Sequence, residues 1–438
     1  MMDGPSEHVQ DDLLRQVWEF PLLEALFGRR ARRFARGMEI PSGPLAFRSR
    51  HAPLALSEFE RALLIAAATG VTGWNFGIPF TPAESPGLCS YAVRFTGRAF
   101  PSGAAIHTGE LFFTDDSGTY LVRSRDLQPQ RVHEVEGMGD VERVLTVCRR
   151  ATVRLSDKRL EIPRQPPHTS EHNLWNANAP GSVLFLPIVD MSQRALASLC
   201  LQLINGSYLY DDFAREPCGH LDPFFRSGLL QERKRVYLSG FEQNQLANAT
   251  AETAILGHNI TLLLQAMGLG GWLYTGLNPN SALGAFADDG IPGLGFRFTR
   301  RQGWSTPNPV GLDGYYEGMC PPYYPDMRAA ARAFAALKFG PGGTYDPETP
   351  GPFQRAGEVK GSVKLYSEEF VAALGEMAQY IYTTYRRFPA TLPTMVLRII
   401  VQAQHIDTDF YDAHFEKGAY LDTHAGHMAR WHGERSEA

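Results

Sequence analysis

Between residues 13 and 26, apolar side chains fall at Leu13, Leu14, Val17, Trp18, Leu22, Leu23 and Leu26. That spacing follows one helix face. It predicts a helix from Asp11 to Leu26, kinked or split at Pro21. Ser57, with Glu60 three residues on, forms a capping box. The helix it opens runs through Ala62, Leu63, Leu64, Ala66 and Ala67 and stops at Gly70. Leu111–Thr114 and Tyr120–Arg123 read as a hairpin around Asp115, Asp116, Ser117 and Gly118. A second hairpin is expected in "ATVRLSDKRLEI", with a short helix, "DVERVLTVCRR", between the two. Ser182–Met191 is a continuous apolar run of strand length, which predicts a strand buried on both faces. "SQRALASLCLQLI" then reads as a helix. Glu252–Met267 is apolar almost all round, the mark of a buried helix. Gly293–Arg301 reads as a strand, and Met327–Leu337 and Glu368–Arg386 as helices.

Composition narrows the class. The chain has 438 residues, 44% hydrophobic and 20% charged, which suits a globular protein with an ample core. A net charge of −5 argues against bulk attraction to nucleic acid or anionic membrane. Cys89, Cys148, Cys200, Cys218 and Cys320 form no CxxC pair and are odd in number. A disulfide framework or zinc site of standard spacing is therefore not expected, and a reducing cytoplasm fits. The N-terminus is acidic without an apolar signal core, and no run of about 18 apolar residues appears.

Candidate chemistry clusters in four places. Arg29, Arg30, Arg32, Arg33 and Arg36 crowd the end of the first helix. Solvated charge accounts for such a run, but guanidinium groups there also suit a phosphate. Arg48, Ser49 and Arg50 form a competing cluster. "AFPSGAAIHTGEL", from Ala99 to Leu111, sets Pro101, Ser102, Gly103 and Ala105 before a strand. Side chains this small let a flat ring approach the backbone. Gly268, Gly270 and Gly271 follow the buried helix, where a helix cap and a cofactor contact are both possible. They make no GxGxxG fingerprint. Arg300 and Arg301 end the 293–301 strand.

Taken in order, these elements resemble the nitroreductase superfamily of FMN-dependent oxidoreductases. "LLEALFGRRARRF" is similar to its opening arginine motif, with Ala31 where the family has Ser. "RAFPSGAAIHTGELFF", "HNITLLLQAMGLGGW" and "GLGFRFTRR" match later motifs, so the resemblance spans Leu22 to about Arg301. It implies an α+β fold: a three-layer α-β-α arrangement around a mixed, largely antiparallel sheet, with large insertions and a C-terminal extension. It implies a homodimer with FMN at the subunit interface. Arg29, Arg30 and Arg33, or Arg48, Ser49 and Arg50, would hold the phosphate. Pro101, Ser102, Gly103 and Ala105 would line the ring, Gly270 and Gly271 its other side, with Arg300 and Arg301 nearby. The flavin would pass hydride or electrons in a ping-pong cycle, with NAD(P)H as a possible reductant and a small molecule or peptide as substrate. No catalytic side chain is needed or assigned. "RAFPSGAAIHTGELFF" is similar especially to the azoline-oxidising branch of the family, so an azoline- or peptide-modifying dehydrogenase of the same fold is one alternative, although that branch carries adjacent Lys and Tyr and here Lys234 and Tyr237 are separated. A flavin-free binding or scaffold subunit of the same fold is a second alternative. The organisation expected is an arginine-rich arm at 1–45, a core at 46–310 with insertions at 72–98 and 205–250, and a mostly helical extension at 311–438.

The tail holds His405, His414, His424, His427 and His432, with Asp407, Asp409 and Asp412. His424 and His427 share a helix face, but no HExxH or facial triad is present. The tail therefore reads as a polar helix with solvated or hydrogen-bonded histidines, and no metal ligand is assigned. Cys320 reads as structural. Tyr315, Tyr316, Tyr323 and Tyr324 read as packing walls.

Overall fold

Every residue of Val183–Asp190 is buried, as its unbroken apolar run requires. The computed structural model describes residues 7–82, 87–125, 127 and 135–434. Its main sheet has strands β1 (Gly109–Asp115), β2 (Gly118–Val122), β3 (Thr152–Ser156), β4 (Val183–Asp190), β5 (Gly270–Tyr274), β6 (Met395–Leu397) and β7 (Ile400–Gln404). The spatial order is β5-β7-β4-β1-β2-β3, with β6 also on β4. All of its pairings are antiparallel. Mixed helices and antiparallel sheets make the chain α+β.

The helices that matter for the site are α1 (Glu7–Glu19), α2 (Leu22–Gly28), α3 (Glu58–Thr69), α4 (Met138–Ala151), α5 (Met191–Ile204), α6 (Leu238–Met267), α7 (Met327–Phe339), α8 (Glu368–Tyr385) and α9 (Asp422–His432). Pro21 does split the first helix, into α1 and α2. The capping box at Ser57 and Glu60 is closed in both directions.

Alternation sorts the strand residues onto two faces. Leu111, Phe113, Val183, Phe185, Val401 and Ala403 pack under α3, α4 and α6. Phe112, Leu184, Leu186, Ile188 and Trp272 face the other way. They meet Leu160, Ile162, Leu277, Leu283 and Phe296, from irregular segments and a short helix. A further core joins α5, α7 and α8.

Three expectations change. The second hairpin has one strand only: after Ser156 the chain leaves the sheet, and Leu160 N donates to Thr114 Oγ1 at 2.8 Å. Leu160 and Ile162 are needed in the core below the sheet. Helix α6 begins 14 residues before Glu252, because Leu238, Phe241, Gln245 and Ala249 give its polar first half a buried stripe. The 293–301 strand shortens to Arg297–Thr299. Within 72–98, Val71–Trp74 pairs with Thr96–Arg98, and residues 83–86 lie outside the described residues, as do 1–6 of the expected arm. The segment 311–438 also supplies β6 and β7, the latter wholly buried between β5 and β4. Among the described residues, no helix is long and apolar enough to cross a membrane.

Candidate functional site

The turn from Ala99 to Thr108 is bound to α6 at two points. Ser102 Oγ donates to Glu252 Oε1 at 2.5 Å, and Asn259 Nδ2 donates to Ala99 O at 2.8 Å. Seven residues of helix separate those contacts, about two turns, so both face the same side. Ser102 Oγ also accepts from His107 N at 3.1 Å. Ala104, Ala105 and His107 have φ of 53°, 51° and 42°. Non-glycine residues seldom adopt that left-handed region, and such departures gather at functional sites. Gly103 stands clear: a Cβ there would meet nothing within 4 Å.

Charge is packed beneath the turn. Arg194 pairs with Glu252, both buried. The Arg94 guanidinium donates to Ile106 O and, at 3.2 Å, to Gln193 Oε1. Arg98 donates to Ser124 O. Glu110 accepts from Ser124 N at 2.8 Å and Arg125 N at 2.7 Å, and Arg125 pairs with Asp190 at 3.2 Å. Four arginines thus stand against three carboxylates, Glu110, Asp190 and Glu252. Burial raises the pKa of Glu110 and Asp190, opposed by Arg125 in each case. Burial holds His107 down to about 2, helped by Arg98, Arg94 and Arg194, so the ring is neutral. A cavity of about 300 Å³ borders this network and is lined by Arg94, Arg125, Leu127, Thr349 and Lys360. Fixed cations around a cavity of this size suit an anionic group or developing negative charge.

The arginine clusters separate. Arg29, Arg30 and Arg33 are exposed. Arg30 Nη1 donates to Phe27 O and Arg29 O, and the Arg33 guanidinium lies 5.9 Å from the centre of the Trp272 ring. Burial, then the charge of Arg29, lowers the pKa of His258 on α6, which brings this cluster to the helix that holds Ser102. The buried member is Arg32, bonded to Gln265 Oε1 at 2.7 Å and Ala419 O at 2.9 Å. In the other cluster, Arg48 pairs with Glu39, Arg50 pairs with Asp409, and Ser49 Oγ accepts from His51 N.

Gly268 caps α6 in the left-handed conformation, φ 79°. Gly270 and Gly271 are small for a reason internal to the chain. A Cβ on Gly270 would lie 2.2 Å from Ile406 Cγ2 and 2.8 Å from Arg32 O. One on Gly271 would lie 2.3 Å from Gln402 O, and Gly271 N donates to Arg32 O at 2.9 Å. Arg300 and Arg301 are exposed and reach Ala285 O and Thr384 O. Lys234 Nζ is bonded to Asn205 O at 2.7 Å. Burial pushes the Cys320 thiol up, which suits a structural role.

The tail histidines are not a solvated face. His424 and His427 are buried. His424 Nδ1 accepts from Leu421 N at 3.2 Å, and burial holds its pKa at about 3. His405, His427 and His432 turn instead to Glu60 on α3. Sequence reasoning took Glu60 as a capping residue only, and Arg94, Arg125 and Arg194 carried no motif.

No protein-family model and no curated protein matches the chain. Among solved structures it is similar to a chain from Ralstonia eutropha JMP134 described as a "putative nitroreductase". The two share 12% identity over 59% of this chain and 71% of that one, with a TM-score of 0.24, too slight a likeness to define an activity.

Proposed function

We propose that the chain is an FMN-dependent oxidoreductase of nitroreductase type, its fold an elaborated three-layer arrangement. The observation that carries the reading is the Ser102–Gly103 turn, open at Gly103 and fixed to α6 above a network of four arginines and three buried carboxylates. FMN would supply storage and transfer of hydride or electrons. The fit is partial. The turn and the exposed Arg29, Arg30 and Arg33 leave room for a ring and a phosphate. Gly270 and Gly271 do not, since this chain's own atoms already fill that space. In this reading the arginines hold the phosphate, Ser102 and Gly103 orient the ring, and the arginine-rich floor favours negative charge on reduction. The exposed apolar side chains Leu22, Leu23, Leu26 and Phe27 of α2 support a homodimer that shares the site. NAD(P)H as reductant and a small molecule or peptide as substrate complete the proposal, in a cytoplasmic setting.

The filled space at Gly270 and Gly271 favours a second reading, a flavin-free binding subunit. An absorption spectrum of the purified full chain decides between them. Flavin bands released on denaturation support the enzyme. A colourless protein that takes up no added FMN overturns it.

A further inference from the structure

Glu60, His405, His427 and His432 come from three distant parts of the chain and meet in its interior. Glu60 Oε1 lies 3.1 Å from His405 Nε2, 2.9 Å from His427 Nε2 and 3.2 Å from His432 Nε2. His405 Nε2 and His432 Nε2 are 3.1 Å apart. All four ligand atoms lie within 4.8 Å of one another. Glu60 is fully buried, His405 and His427 nearly so, and the His432 side chain is 18% exposed.

The far side of two rings fixes their protons. His405 Nδ1 is 3.0 Å from Leu54 O, and His427 Nδ1 is 2.7 Å from Met267 O. A carbonyl only accepts, so each Nδ1 carries hydrogen, and each ring, in its neutral form, offers a lone pair at Nε2. These lone pairs converge on a carboxylate oxygen, itself an acceptor. Acceptors this close, away from water, repel unless positive charge lies among them. One added proton can bridge one pair, whereas one dication bridges all four. Four of the six edges, at 2.9–3.2 Å, approach the roughly 3.3 Å edge of a tetrahedron with zinc–nitrogen and zinc–oxygen bonds, and the other two lie within 4.8 Å. Outer contacts of the usual kind are present too: the backbone carbonyls on His405 and His427, and Ser57 N donating to Glu60 Oε2 at 2.6 Å. A cavity of about 640 Å³, lined by His405, His427, Arg36 and Asp407, gives access from one side.

We infer that Glu60, His405, His427 and His432 form a four-coordinate binding site for Zn²⁺ or a similar late first-row dication. With four protein ligands and little exposure the site is closed, as structural sites are. It would fasten α9 to α3 and to the end of β7. The inference does not depend on the flavin reading.

The test uses the full-length chain, stripped with a strong chelator and titrated with Zn²⁺ alone by calorimetry, then with Co²⁺ by visible absorption. One equivalent per chain and the intense visible bands of four-coordinate Co²⁺ are expected. Glu60→Gln retains a capping-box side chain, and His432→Gln alters the most exposed ligand. Each should keep its circular dichroism spectrum and lose at least tenfold in Zn²⁺ affinity. No Zn²⁺ uptake by the stripped chain overturns the inference. Equal affinity in both variants also overturns it, because the metal would then lie elsewhere, for instance at His51 and Asp409.

Discussion

Ser102 and Glu252 are joined by a 2.5 Å hydrogen bond that ties the strained turn to the longest helix. The same carboxylate pairs with Arg194, whose side chain is 1% exposed. Glu252→Ala therefore leaves a buried guanidinium without its partner. The expected loss is about 3–5 kcal/mol in urea unfolding. Ser102→Ala removes one hydrogen bond and should cost about 1 kcal/mol. Equal effects from both substitutions would show that the ion pair is not what holds the turn.

Gly103→Val adds atoms where this chain has none within 4 Å. Its melting temperature should match the parent. If a flavin ring lies on the turn, FMN occupancy should drop at least tenfold, read as the ratio of flavin to protein absorbance. Full occupancy would place the ring elsewhere.

Gly271→Ala should behave in the opposite way. Its Cβ would press on Gln402 O at 2.3 Å, and overpacking of this kind costs about 1–3 kcal/mol. Stability should fall while flavin per folded chain stays constant. Lost flavin at unchanged stability would restore Gly271 to the cofactor site.

His107 makes the chain sensitive to acid. Its pKa is about 2 when folded, against 6.5 for the free side chain. Below 6.5 the unfolded state takes up a proton that the folded state refuses, so stability falls as pH drops, down to about 2. Between pH 6.5 and 5 the share of His107 is about 2 kcal/mol. His107→Asn suits the left-handed backbone and should remove that share, flattening the wild-type-minus-variant difference in urea midpoints over this range. A parallel pair of curves would rule the ring out as the cause.

Phe27 is 71% exposed on α2. If its face joins two copies, Phe27→Glu should convert a dimer to a monomer in sedimentation velocity and lower FMN occupancy with it. A wild-type chain that is already monomeric would remove the interface from the proposal.

Half of the sheet and most of the main helices were legible because their signals are local: the apolar run at 183–190, the Ser57 capping box, the hairpin at Gly118. The strands β5, β6 and β7 were not read, and the last two fall in a segment expected to be mostly helical. The site was legible only in part. Ser102 and Gly103 stood out by smallness; the space beside Gly103 is open, while the Ser102 hydroxyl is bonded to Glu252 and to His107 N. Gly270 and Gly271 stood out in the same way, yet their cause is the backbone of Arg32 and Gln402, neighbours that no sequence spacing reveals. Arg94, Arg125 and Arg194 are single arginines in unrelated segments, joined only by folding. For Glu60, one carboxylate oxygen answers to the local cap at Ser57, which could be read. The other answers to histidines more than 340 positions away, which could not.

That separation bears on the order of synthesis. Glu60 is translated early, and its helix can cap itself at once through Ser57. The three imidazoles arrive only after residue 404, the last of them at His432. Until then the growing chain carries a carboxylate destined for a dry interior, without the three imidazoles that would complete its proposed cation site. Helix α3 should therefore dock late, and a chain interrupted before residue 405 would display this defect to the cell's quality-control machinery.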